Sequence, residues 1–273
     1  MKVKNLMLGL GVSSLLVLSG TAGAATMVDD FSSYTDGNLT GQGAAGGGWA
    51  GAWYKSGSAA ISTTVNATDG NTGGGPTGGS TANIIENTRN FATPLAVTDG
   101  APTIWLSFDI RVNFTGDSLG NSSNTVELLG AGAYGRLNDP SGNTEWSAYV
   151  LPSSPFYEFS GVDMPDNVWS TVVVKLTPTG NGIADYSMWV DPNLALTEDD
   201  VLQVAPLLDG TMSLGNTSIA SLQIRSAFYD SGSAVSYDNL RVSTESSPFI
   251  PEPASLMLVG LGLLGVMSRR CRA

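Results

Sequence analysis

Hydrophobic and polar positions alternate with a period of two along the middle of this chain. Over residues 103–113, Ile104, Leu106, Phe108, Ile110 and Val112 alternate with Trp105, Ser107, Asp109 and Arg111. That is the pattern of a strand with one face against a core. Residues 169–177 repeat it, with Val172, Val174 and Leu176 opposite Thr171, Val173 and Lys175. Residues 184–190 set Tyr186, Met188 and Val190 opposite Asp185, Ser187 and Trp189. Further strands are expected over 125–129, 133–137, 147–151, 219–225 and 236–242, bounded by turn clusters such as Asn138-Asp139-Pro140 and Gly180-Asn181-Gly182. A helical period is weak throughout. Its best stretch, 197–203, opens with Glu198-Asp199-Asp200 and predicts a short helix at most. Many short strands without a long helix predict an all-β body, an antiparallel two-sheet β-sandwich.

The two ends break this pattern. Lys2 and Lys4 precede an apolar stretch from Leu6 to Leu18, and Ala22-Gly23-Ala24 offers the small-x-small cleavage site of a secretory signal peptide, with Ala22 and Ala24 flanking the cut. At the other end Pro251-Glu252-Pro253 leads into an apolar run over 254–267, followed by Arg269, Arg270 and Arg272. The prolines cannot continue a helix or a sheet ladder and hold the chain extended. The run is shorter than the ~20 residues that cross a bilayer comfortably, and its arginines should stay cytoplasmic. Such a segment suits a pause in the inner membrane better than a permanent anchor.

This tail resembles the PEP-CTERM sorting signal, through Pro251, Glu252, Pro253, the apolar run and Arg269-Arg270. The resemblance implies a partner, an exosortase-type membrane enzyme that cuts near the motif and releases or transfers the body to the cell surface. It therefore implies an exported protein, membrane-associated during sorting and then at the cell surface or in the extracellular matrix. The expected division is a signal peptide helix at 1–24, a sandwich domain at 25–247 and a sorting segment at 248–273. Within that segment lie the motif (251–253), a short transmembrane helix (254–267) and a basic tail (268–273).

Composition narrows the chemistry. The chain has no histidine, and its single cysteine, Cys271, lies in the basic tail. Histidine triads, Cys–His nucleophiles and histidine zinc sites are excluded, as are disulfides within the body. Carboxylates remain for glycosidase-type catalysis or calcium binding. Acidic residues number 24 against 12 basic, and five of the basic ones (Lys2, Lys4, Arg269, Arg270, Arg272) sit in the two ends. The body is thus strongly acidic, which serves solubility outside the cell and excludes nucleic acid as a partner.

Within the body, Asp29-Asp30-Phe31 with Tyr34, Gly37-Asn38-Leu39 with Gln42, and Gly48-Trp49 with Trp53 form an opening. Phe108-Asp109-Ile110-Arg111, Trp189-Val190-Asp191-Pro192 and a closing Tyr237-Asp238 with Arg241-Val242 follow it. Together they resemble exported concanavalin A-like (laminin G-like) jelly-roll domains. That resemblance implies first and last strands side by side, with Asp29 and Asp30 brought near Asp238. The two glycine-rich stretches, 41–51 and 70–79, lack the lysine and strand–helix context of a phosphate loop. The second reads as a surface loop.

Jelly-roll glycan hydrolysis needs carboxylates alternating along one strand, as in Glu-x-Asp-x-x-Glu, and no such word occurs. Glu127 and Glu145 are the pair that folding could still bring together. Sugar binding needs only an aromatic platform with a few hydrogen-bonding groups. Trp105, Trp146, Trp189 and Tyr149 are its candidates, the alternative being that these rings are core; Trp49, Trp53 and Trp169 read as core plugs. No cofactor is expected beyond a structural calcium at Asp29, Asp30 and Asp238, or at Asp191 with Glu198, Asp199 and Asp200, the alternative being solvated acidic turns. The sequence reading is a non-catalytic exported protein that binds or scaffolds extracellular polysaccharide. Its rivals are a carboxylate-dependent glycan hydrolase or lyase and a purely structural matrix protein.

Overall fold

The alternating runs become strands in the computed structural model, which describes residues 26–56, 64–66, 72–74, 83–113, 123–136, 144–150, 156–196, 198–228, 234–245 and 247–249. In chain order these hold β1 (Thr26–Asp29), β2 (Gly37–Asn38), β3 (Tyr54–Lys55), β4 (Thr64–Asn66), β5 (Thr72–Gly74), β6 (Asn83–Ala96), β7 (Ile104–Asn113) and β8 (Ser123–Leu128). There follow β9 (Gly132–Arg136), β10 (Glu145–Val150), β11 (Phe156–Asp163), β12 (Ser170–Gly180), β13 (Ile183–Val190), helix α1 (Glu198–Leu202), β14 (Leu208–Ser213), β15 (Ser218–Phe228) and β16 (Ala234–Ser243). Each strand found from alternation lies within two or three residues of its expected span, and the short helix is α1.

The strands form two antiparallel sheets. One runs β14-β13-β12-β7-β16-β5-β4-β2 with β1 also on β16, nine strands in all; the other, of seven, runs β11-β10-β9-β8-β15-β6-β3. First and last strands pair as the jelly-roll resemblance implies, from Thr26 opposite Ser243 to Asp29 opposite Leu240. Between the sheets lies a continuous core. Leu106, Phe108, Ile110, Val172, Val174 and Leu176 face it from one side, and Val126, Tyr134, Trp146, Leu222 and Ile224 from the other. Each such side chain contributes about 1.5–3 kcal/mol by leaving water.

Polar fasteners cross this core. Arg89 of β6 reaches Asp29 of β1, with Nη1 2.5 Å from Oδ2, and both side chains are almost wholly buried. Every remaining group of the pair is used. Arg89 Nε donates to the carbonyl of Gly51 and Nη2 to that of Ala44, while Asp29 accepts from the Tyr34 hydroxyl, Trp53 Nε1 and the Phe31 amide. The Trp49 ring lies 4.5 Å from the guanidinium carbon. The first glycine-rich stretch therefore wraps an arginine. Gly48, at φ +84°, has to be glycine, since a Cβ there would come within 2.3 Å of Met27 Cγ. At the other side of the sandwich Tyr186 of β13 donates to the Glu158 carboxylate of β11.

Two expectations are corrected. Trp169 is no core plug: it is 36% exposed, with the Arg111 guanidinium 4.9 Å over its ring. Part of the second glycine-rich stretch is sheet, since Thr72–Gly74 pairs with β4 and β16. The signal helix, the Ala22/Ala24 cleavage site and the apolar run 254–267 fall outside the described residues. Among those described, no helix is long and apolar enough to cross a membrane.

Candidate functional site

The outer faces of the two sheets differ in chemistry. On the nine-stranded sheet the outward residues Trp105, Val173 and Trp189 are covered by Val201 of α1 and by Phe249, forming a second small apolar cluster. Trp105 and Phe249 meet edge to face at 5.8 Å between centroids, and Trp189 Nε1 donates to the Val204 carbonyl. Beside this cap Trp189, Leu196, Val201 and Leu207 line a half-open pocket of about 420 Å³.

The outer face of the seven-stranded sheet is polar. Because side chains alternate across a strand, two cross-strand rows run along it. One passes from Tyr54 through Thr88, Gln223, Glu127 and Ala133 to Tyr149. The second passes from Glu86 through Arg225, Thr125 and Gly135 to Ser147. Hydrogen bonds order both rows. Gln223 Nε2 donates to Ser56 Oγ at 2.8 Å and Thr88 Oγ1 at 3.0 Å, and Thr125 Oγ1 donates to Glu127 Oε1 at 3.1 Å. Arg225 stands between two carboxylates, Nε 3.4 Å from Glu86 Oε1 and Nη1 3.7 Å from Glu127 Oε1. Burial raises the pKa of Glu127 above its ordinary value, while the charge of Arg225 and the bond from Thr125 pull it down.

Ala133 and Gly135 of β9 put nothing larger than a methyl at the centre of this face, yet Thr88, Thr125, Ala133, Ser147 and Gln223 are each 5% exposed or less, so its middle is covered. Gly135 is required by the backbone as well. Its φ is +134°, and a Cβ would fall 2.5 Å from the Asn124 carbonyl oxygen. Tyr149 and Glu127, which flank Ala133 across the sheet, are half-buried.

Residues 249–272 match the PEP-CTERM protein-sorting motif. The chain carries a PEP-CTERM sorting motif at its C-terminal end. Its motif residues Pro251, Glu252, Pro253, Arg269 and Arg270 lie in the matched segment, of which Phe249 alone is among the described residues. Among curated proteins no significant sequence match is found. Solved structures align over most of the sandwich. Lectin I from Ulex europaeus does so at 8% identity and TM-score 0.46, covering 80% of this chain and 97% of its own. An endo-1,3-β-glucanase from Streptomyces sioyaensis aligns at 9% identity and TM-score 0.43, covering 81% and 97%. An endo-β-1,4-glucuronan lyase from Trichoderma reesei aligns at 10% and 0.44, covering 77% and 95%. Likenesses at this level assign no activity to this chain, and its two-sheet architecture stands on its own strand pairing.

The residues expected to form a sugar platform divide. Trp105, Trp146 and Trp189 are 5%, 2% and 4% exposed, and of the three Trp189 lines the half-open pocket beside α1. Trp146 points into the main core, and the other two lie beneath Phe249 and α1. Of that set Tyr149 lies half-buried on the outer side of the seven-stranded sheet. Glu127 and Glu145 do not form a pair: Glu145 turns to accept the Gly161 amide, and the carboxylate that joins Glu127 about one guanidinium is Glu86. Glu86, Arg225 and Gln223 were missed because no motif marks them; outward positions of β15 were the available signal.

The calcium ligands expected at the paired termini stand near enough for Asp29 and Asp30 to act on Asp238, but the three do not assemble as a metal site. Asp29 is consumed by Arg89, Asp30 caps the Ser32 amide, and Asp238 lies opposite Asp109 on β7. In the alternative set Asp191 accepts the Thr171 amide and Glu198 pairs with Lys175. Among the described residues no three carboxylate, histidine or cysteine side chains assemble as a metal site.

Asp238 carries a pH signature. Burial, reinforced by the charges of Asp109, Asp30 and Asp29, pushes its pKa up from 3.8 to about 6. The folded protein therefore holds more protons than the unfolded chain between those values, and this group's contribution to stability falls as pH rises from about 4 to 6. Asp238→Asn keeps an acceptor for the Asn239 amide and is expected to remove that loss. Urea midpoints should match wild type at pH 3.5 and exceed it at pH 7, by at most about 1 kcal/mol given the solvent screening. Equal midpoints at both pH values would contradict this assignment.

Proposed function

We propose that this is a cell-surface or matrix protein whose sandwich binds or scaffolds extracellular polysaccharide without cleaving it, after an exosortase-type enzyme has acted on its tail. The observation that carries this reading is the contrast between the two outer faces. One carries an apolar cap, and the other carries an ordered polar array in which Glu86, Glu127, Arg225 and Tyr149 are half-buried, groups that suit a hydroxyl-rich chain. Carboxylate, amide and hydroxyl groups there match sugar hydroxyls, and Tyr149 supplies a ring edge or face.

A second reading, a carboxylate-based glycan hydrolase, draws support from Glu127, whose raised pKa suits a general acid. Its required partner is a second carboxylate across the scissile bond at roughly 5–9 Å. Glu86 instead shares the same guanidinium as Glu127, which favours binding over turnover. The full-length chain in detergent, assayed against a panel of polysaccharides, is expected to be retained by at least one polymer and to release no reducing ends. Tyr149→Ala should weaken that retention about tenfold, the equivalent of ~1.4 kcal/mol. Reducing ends that vanish in Glu127→Gln would establish the hydrolase, whereas no retention by any polymer would leave a matrix component without a ligand.

A further inference from the structure

Resting on the reading that the apolar run 254–267 lies in the bilayer until the tail is cut, we propose that the uncut protein docks on the lipid surface through one flank of its sandwich. That flank carries Leu194, Leu202 and Val204, beside the cap that holds Phe249.

Chain length brings the lipid to this flank. Phe249 is fixed in the apolar cluster with Trp105, Val173, Trp189 and Val201 and is 4% exposed. Ile250, Pro251, Glu252 and Pro253 alone separate it from Ala254, where the run begins. Five Cα steps span at most about 18 Å, and the headgroups on one side of the hydrocarbon take up ~5–8 Å of that reach. The cap is thereby kept within roughly 10–13 Å of the headgroup surface. A body on so short a tether turns its cap towards the membrane.

The side chains around the cap fit that position. Nine large apolar side chains are exposed among the described residues, and three of them, Leu194, Leu202 and Val204, fall in this one stretch of chain. Val204 also lines the half-open pocket with Leu196, Pro206 and Leu207, so apolar surface continues from the rim into a recess of about 420 Å³. The stretch is tied to the cap itself. Val201 belongs to the same cluster as Phe249, and Trp189 Nε1 donates to the Val204 carbonyl. An exposed apolar patch beside the exit of a membrane segment is a surface for lipid to cover. Residues 191–207 include Asp191, Glu198, Asp199 and Asp200 and no lysine or arginine. Apolar contact, and not attraction to lipid charge, therefore holds the flank down.

The test uses the full-length chain with Cys271→Ser in phosphatidylcholine vesicles. One environment-sensitive thiol dye at a time is placed on Leu202→Cys, Val204→Cys, Tyr54→Cys or Val259→Cys, and a nitroxide high on the lipid acyl chain serves as quencher. The dyes at 202 and 204 are expected to lose roughly half their emission, as for groups seated ~5–10 Å into the boundary, at low and high salt alike. The dye at 54, on the outer side of the other sheet, should keep its emission. The dye at 259 reports the run itself. Quenching at 259 with none at 202 or 204 would overturn the docking while leaving the membrane reading in place. No quenching at 259 would remove that reading and the proposal with it. Quenching at 202 and 204 that high salt abolishes would overturn apolar docking in favour of charge. A blue shift at 202 and 204 without quenching would mean that a second copy covers the patch, which also overturns it. Should either cysteine variant fail to fold, Leu194→Cys, on the same patch, takes its place with the same expected loss.

Discussion

Replacing Arg89 with alanine is expected to lower the stability of the body by about 3–5 kcal/mol, because it leaves the Asp29 carboxylate buried without its charge partner. For a domain of this size that corresponds to roughly 6–20 °C in melting temperature. The loss exceeds that of an ordinary ion pair because five hydrogen-bonding groups converge on these two side chains. Asp29 would keep Tyr34, Trp53 and the Phe31 amide as donors, but the Gly51 and Ala44 carbonyls would lose their donor. Asp29→Asn in the same background should recover part of the loss, since the uncompensated charge goes with it. Thermal and urea melts of the two variants measure both quantities. A loss below about 1 kcal/mol for Arg89→Ala would mean that water replaces the guanidinium freely and that the pair fastens nothing.

Trp105→Ala is expected to cost a further class of stability, about 3–5 kcal/mol, from the outer cap rather than from the main core. The indole touches Phe249 edge to face, and the ammonium of Lys175 lies 5.2 Å from its ring. Removing it leaves Val173, Trp189 and Val201 around a void that α1, only five residues long, cannot collapse to fill. Trp169→Ala is the contrasting case. Its ring is partly exposed, and its removal should change the urea midpoint by less than about 1 kcal/mol. If the two variants lose equal stability, the cap contributes nothing beyond surface covering.

Much of the sandwich is legible from alternation alone, and the part that is not has a physical explanation. The strands β7, β12 and β13 announce themselves because each puts an unbroken apolar stripe on one face. The strand β6, the longest of all at 14 residues, gives no such signal. Its inward positions include Asn87 and Arg89, both buried, so the face that should read as apolar reads as polar. Arg89 is tolerated there only because Asp29 arrives from a segment 60 residues away, a pairing invisible to any local window. The short strands β2 to β5 are set by hydrogen bonding in glycine- and threonine-rich sequence with no periodicity to detect.

The candidate site divides in the same way. Tyr149 is named for its nearness in sequence to Trp146, and of the named rings it is the one that lies half-buried rather than in a core cluster. Trp105 and Trp189 were correctly placed away from the main core, yet alternation cannot show what covers the second face of a sheet. Here that cover includes Phe249, which lies six residues beyond the last strand. Glu86, Glu127 and Arg225 come from three strands adjacent in space and distant in sequence, so only the register of β6, β15 and β8 discloses them.

Phe249 also bears on where this chain can be trimmed. A single residue, Ile250, separates it from Pro251. A cut beyond Phe249 leaves the stopper in place and the mature surface watertight. A cut on the near side would pull it out and bare Trp105, Val173 and Trp189 as an oily patch prone to clumping. The body thus tolerates shortening up to its own plug, and the address label begins almost where the plug ends.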